Sequence, residues 1–144
     1  MGQGINAYIM EQFGIEAVDI RSYSPLTLAY IGDEVFDLVI RSLVVGRGNT
    51  RPNKLHQRTS RIVRASTQAQ IAEFLLPELT GEEADIYRRG RNANSPTMAK
   101  NATVADYRRA TGLEALVGYL YLTDRFERLL ELIKKAVSGL GLKL

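Results

Sequence analysis

A chain of 144 residues with 45% hydrophobic content and no cysteine can bury one sizeable core, is too short for two ordinary domains, and can form neither disulfides nor thiolate metal sites. Its longest apolar stretch, residues 35–45, is interrupted by Asp37 and Arg41 and falls short of the ~20 apolar residues of a membrane span. Residues 1–11 have neither the basic start nor the apolar run of a signal peptide, so a cytoplasmic address is the default expectation.

The segment Ile5 to Phe13 is amphipathic and ends at Gly14, a residue suited to the left-handed conformation common past a helix end. Ser24 followed by Pro25 is a start signal, because serine caps free amides and proline suits the first turn. The helix that follows is expected to reach about Val45 and stop at Gly46 to Gly48; being apolar on nearly every side, it reads as the central buried helix. Pro52 opens a helix to about Ala65, with a break at Ser66 or Thr67 before a further helical segment ending near Pro77.

On that helix Arg51, Lys54, Arg58, Arg61 and Arg64 fall within one arc, and Leu55, Thr59, Ile62, Val63 and Ser66 within another: a cationic ridge backed by a core face. Thr80 with Glu83 has capping-box spacing for a short helix ending at Gly90, with Arg88 and Arg89 in its last turn. Residues 91–101, containing Asn92, Asn94, Ser95 and Pro96, read as an exposed loop. Thr103 with Asp106 starts a helix to about Leu122, and Asp124 with Glu127 a final one with Phe126, Leu129, Leu130, Ile133 and Val137 as its apolar positions. With no hairpin signal and no repeat, the fold class is all-α, one domain over residues 1–144.

The net charge of +3 is unevenly spread. Between Asp37 and Glu73 stand Arg41, Arg47, Arg51, Lys54, Arg58, Arg61 and Arg64 with no acid, and Arg88, Arg89, Arg91, Lys100, Arg108 and Arg109 face Asp106 alone. These two segments hold 13 of the 19 cationic side chains, which points to a polyanionic partner.

Two carboxylates are out of place: Asp33 inside the first long helix and Glu114 alone among apolar residues between Leu113 and Leu122. Each either lies on a solvated strip, has a structural partner, or shares a metal, since an uncompensated carboxylate in low dielectric is expensive. Gly32 and Gly118 weigh against the solvated strip, because glycine inside a helix costs about 1 kcal/mol and usually permits close approach by something.

The run Leu28, Ala29, Tyr30, Ile31, Gly32, Asp33, Glu34, Val35 resembles the signature segment of the ribonuclease III family, and Glu114, Ala115, Leu116, Val117, Gly118 resembles its second acidic motif. Similarity covers about Ser24 to Leu122, and the double-stranded-RNA-binding domain that usually follows is not expected here. That is the arrangement of the catalytic-domain-only branch, Mini-ribonuclease III, which Pro52 to His56 and Arg89 to Ala93 also resemble.

The resemblance implies the helical fold of the ribonuclease III catalytic domain and an endoribonuclease of double-stranded RNA, acting on paired stems of the large-subunit (23S) ribosomal RNA precursor. It implies a homodimer with two active sites, with no membrane or DNA partner expected. Asp33 and Glu114 match the essential metal-binding acids, with Mg²⁺, or Mn²⁺ in its place, activating water for in-line attack and stabilising the departing 3′ oxygen. Asp37, one turn on, is a candidate additional ligand, an ion pair with Arg41 being the preferred reading. Lys54, Arg58, Arg61, Arg64, Arg88, Arg89, Arg91, Asn92 and Lys100 are the expected RNA contacts, mostly to backbone.

Departures from the full-length family pattern are Leu26, Ala29 and Thr111 where further acids stand, a thinner ligand set that the Mini branch shares. Glu34 reads as a surface or interface residue, and His56 as structural or a phosphate contact. Leu26, Ala29, Tyr30 and Phe36 are candidates for a two-fold interface. The alternative is a helical RNA-binding or ribosome-associated protein that does not cleave; the presence of both acids favours the enzyme.

Overall fold

The computed structural model describes residues 4–93 and 103–144, and among these every regular element is helical. The α-helices are α1 (Ile5–Gln12), α2 (Pro25–Gly46), α3 (Pro52–Val63), α4 (Ala65–Leu75), α5 (Gly81–Asn92), α6 (Val104–Leu122) and α7 (Phe126–Gly139), with short 3₁₀ turns at Ile20–Ser22 and Leu76–Glu78. No helix among the described residues is long and apolar enough to cross a membrane.

Local capping chemistry sets the starts of α2, α5 and α6. The Ser24 hydroxyl accepts from the Thr27 amide at 3.2 Å. Thr80 and Glu83 form a reciprocal box, Glu83 N–H to Thr80 Oγ1 at 3.2 Å and Thr80 N–H to Glu83 Oε1 at 2.9 Å. Thr103 Oγ1 accepts from the Asp106 amide at 3.0 Å. Each bond satisfies one of the amides a helix start leaves unpaired.

The centre of the domain is α6, not α2. Residues 110–113 and 115–120 of α6 are buried all round, and α2, α5 and α4 pack about it. The expectation that α2 is buried on every side is corrected: Tyr30 is 80% exposed, Leu38 54% and Val45 63%. With Thr27, Glu34 and Arg41, all exposed, they make one stripe of α2 turned away from α6. A helix that is apolar on nearly every side in sequence is thus not buried on every side.

α2 and α6 run antiparallel and touch backbone to backbone. A Cβ on Gly32 would collide with the Glu114 carbonyl, and one on Gly118 with the Leu28 carbonyl. These are the close approaches that two glycines inside helices suggested. They put Asp33, next to Gly32, beside Glu114.

The break between α3 and α4 falls at Arg64, with φ −67° and ψ 155°, rather than at Ser66 or Thr67. Two side chains of α4 make it: Thr67 Oγ1 donates to the Arg61 carbonyl at 2.6 Å, and Gln68 Nε2 donates to the Val63 carbonyl at 2.7 Å. They take over carbonyls that a continuing helix would have paired. Ser66 accordingly lies past the break and is exposed, not part of the core face.

α5 runs two residues beyond Gly90, which places Arg91 and Asn92 on a helix instead of a loop. Asp124 does not cap α7; it sits at φ 57° before the cap residue Arg125. On α7 the buried positions are Leu129, Leu132, Ile133 and Ala136, whereas Leu130 is 42% exposed. α5 is strapped to α7 by Arg128, which donates to both Glu83 oxygens at 2.9 and 2.8 Å and to the Glu78 carbonyl at 2.9 Å.

Candidate active site

The Gly32–Gly118 contact brings a carboxylate from each helix to one place. Asp33 is exposed at the edge of α2, the solvated position that was one of the readings its sequence left open. Glu114 is half-buried, and its carboxyl stands within hydrogen-bonding reach of Asp33. Burial above all, then the hydrogen bond and charge of Asp33, push Glu114 up to about 9 from an ordinary 4.5, with the Gln68 amide pulling the other way. In the ion-free protein at neutral pH, Glu114 therefore carries a proton.

A half-buried carboxyl that burial and a neighbouring carboxylate keep protonated is an arrangement that a divalent cation relieves. A magnesium-sized ion suits such a pair, because it binds through one or two carboxylates and keeps several waters. No third His, Cys, Asp or Glu completes a cluster of three among the described residues. Asp37 is held by Arg41, Oδ2 to Nε at 2.8 Å, the ion pair that its spacing predicted. Thr111, where the wider family has an acid, is buried and donates its hydroxyl to the Tyr107 carbonyl at 3.0 Å.

The residue missed in the sequence is Gln68. It is only 2% exposed, and its carboxamide lies against Glu114 while also closing the α3–α4 break. A signal was present: Gln68 precedes Ile71, Ala72 and Leu75 at helical spacing, on the buried face of α4.

Around this pair the expected cations divide. On α3, Lys54 and Arg61 are exposed and Arg58 half-buried, with Arg64 exposed at the break; no acid pairs with any of them among the described residues. On α5, Arg88 is engaged with Asp85 at 2.7 Å, Arg89 is exposed, and Arg91 lies over the Tyr87 ring at 5.9 Å and donates to Asn92 Oδ1 at 3.3 Å. Lys100 lies outside the described residues, as do Asn94, Ser95 and Pro96.

His56 is exposed and shares a small cavity with Arg41 between the end of α2 and the start of α3. Of the four interface candidates, Phe36 (1% exposed) and Ala29 (8%) belong to the core of this chain. Leu26 is half-buried, and Tyr30 stands free.

Residues 26–125 match the Ribonuclease III domain family. The chain is 46% identical over 121 residues to the Mini-ribonuclease 3 of Staphylococcus aureus (strain NCTC 8325 / PS 47), covering 83% of this chain and 90% of that protein. It is 45% identical over 123 residues to the Mini-ribonuclease 3 of Streptococcus pneumoniae (strain ATCC BAA-255 / R6), covering 84% and 96%. A crystal structure of a Fusobacterium nucleatum protein superposes with a TM-score of 0.77 at 33% identity, over 85% of this chain and 94% of that one. With the all-helical fold and the paired acids of α2 and α6 already in place, these similarities close the argument: the chain belongs to the ribonuclease III family, in the branch of the Mini-ribonuclease 3 proteins, and is an endoribonuclease.

Proposed function

We propose that this endoribonuclease is divalent-cation-dependent and cuts double-stranded RNA, with paired stems of the large-subunit (23S) ribosomal RNA precursor as its substrate, in the cytoplasm and as a homodimer. The observation that carries the reading is the Asp33–Glu114 pair, joined through Gln68 to the end of the unpaired cationic ridge on α3. The choice of ribosomal precursor rests on the resemblance of residues 52–56 and 89–93 to the Mini branch.

Asp33 and Glu114 would hold the cation, Mg²⁺ or Mn²⁺ in its place, for which Glu114 would have to be ionised, its proton passing to solvent. When bound, the ion supplies an activated water and charge stabilisation at the phosphodiester. Lys54, Arg58, Arg61 and Arg64 bind phosphates from one side, and Arg89 and Arg91 from α5. A-form RNA offers phosphates and 2′-hydroxyls rather than base edges, so the contacts read shape more than sequence. The large apolar side chains Tyr30, Leu38 and Val45, exposed between polar residues on one stripe of α2, support a two-fold interface.

The test is incubation of the pure protein with a long RNA duplex, with and without Mg²⁺. Cleavage of duplex but not single strand, only with the ion, is the expected outcome. Equal cleavage in chelator would overturn the dependence on a cation.

A further inference from the structure

We infer that Gln68 is a positioning residue for the metal site, its carboxamide orienting the Glu114 carboxylate as a ligand while tying that ligand to the end of the basic helix. The inference rests on the proposed metal site.

The amide nitrogen donates to the Val63 carbonyl at 2.7 Å, and from there the carboxamide draws the neighbouring Glu114 carboxyl toward its charged form. The Val63 carbonyl fixes which end of the amide points where, because oxygen in that place would meet oxygen. A donor is thereby held beside Glu114. Oε1, at the other end, is buried and has no hydrogen-bond partner among the described residues. A side chain present only to fill space would be better replaced by an apolar one of the same volume, which leaves no acceptor unpaired. The carboxamide is present for its donor.

Ligating groups are commonly held by such outer hydrogen bonds, whose loss costs roughly 10–100-fold in metal affinity or activity. Thr67 provides the comparison. It braces the same break through Oγ1 to the Arg61 carbonyl at 2.6 Å, and nothing ties it to Glu114.

The experiment measures duplex cleavage against Mg²⁺ concentration for Gln68→Met, which keeps length and removes the donor, and for Thr67→Val. Mn²⁺ binding to each protein with a duplex too short to be cut, read by electron paramagnetic resonance, is the second measurement. Gln68→Met should need about 10–100-fold more Mg²⁺ for half-maximal rate and bind Mn²⁺ correspondingly less tightly. Its rate at saturating ion should stay within a few-fold of the parent, with duplex affinity in chelator unchanged. Thr67→Val should leave the metal dependence alone.

Parental metal dependence in Gln68→Met overturns the inference, as does an equal shift in Thr67→Val, which would trace the effect to the break. If Gln68→Met does not fold, Gln68→Asn makes the same test, being one methylene too short to span Val63 and Glu114. Asp33→Asn separates the two levels of argument. If it cleaves normally, the metal site itself is misplaced; if it is inactive while Gln68→Met matches the parent, only the role of Gln68 falls.

Discussion

Replacing Glu114 by Gln is expected to strengthen the ion-free fold and abolish cleavage, two opposite consequences of one substitution. The magnitude follows from the carboxyl group, held at about 9 in the folded chain against an ordinary 4.5. Because the folded value is the higher, folding takes up a proton between these limits. The stability present below pH 4.5 is therefore lost progressively as pH rises toward 9. By pH 7 about 2.5 pH units have been crossed, and at roughly 1.4 kcal/mol each the loss is at most ~3.5 kcal/mol. Residual solvent contact of Glu114 screens part of it, leaving about 1–3 kcal/mol.

Gln ionises in neither state, so Glu114→Gln should melt with the parent at pH 4.5 and above it at pH 7, by about 3–9 °C at roughly 3 °C per kcal/mol. Scanning calorimetry in chelator at pH 4.5, 6 and 7.5 reads the difference. Added Mg²⁺ should raise the parent's melting temperature, more so at higher pH as the proton leaves more readily, and leave the variant unmoved. A melting offset that does not change with pH would refute the electrostatic reasoning, and retained cleavage would remove Glu114 from the chemistry.

Arg58→Glu with Arg61→Glu should weaken duplex binding and flatten its logarithmic salt dependence by about two, as two phosphate contacts are lost; filter binding between 50 and 300 mM salt checks it. Arg128→Met strands the buried Glu83 carboxylate, which Arg128 holds below the usual range, and should cost about 3–5 kcal/mol near neutrality. The loss should shrink as pH falls through the depressed Glu83 value, since protonation removes the stranded charge; urea unfolding at pH 7 and pH 3 compares the two. Gly32→Ala must push α2 off the Glu114 carbonyl and should cost about 4 kcal/mol or prevent folding, whereas Gly46→Ala, with open space around it, should be nearly neutral. Tyr30→Glu should convert a species of about twice 16.1 kDa to monomer in sedimentation at micromolar concentration, and an unchanged dimer would move the interface off this face of α2.

Helix starts were legible in the sequence wherever a cap closes within three residues: Ser24 to Thr27, Thr80 to Glu83 and Thr103 to Asp106 are decided by neighbours along the chain. So was the close approach at Gly32 and Gly118, because only contact with another backbone makes two glycines inside helices worth their cost. The pairing of Asp33 with Glu114 came from motif resemblance, since nothing in the spacing along the chain brings α2 against α6.

Tertiary structure decided the rest. Asp33 and Glu114 make the same pattern in sequence, one acid among apolar residues. Yet one is exposed and the other half-buried, because α6 is enclosed by α2, α4 and α5 while α2 meets neighbours on only part of its circumference. The α3–α4 break moved to Arg64 because Thr67 and Gln68 reach back for carbonyls six and five residues earlier, bonds that no propensity scale contains. Gln68 next to Glu114 joins two segments 46 positions apart. Periodicity tells which side of a helix is turned inward, but what that side meets depends on how the helices pack.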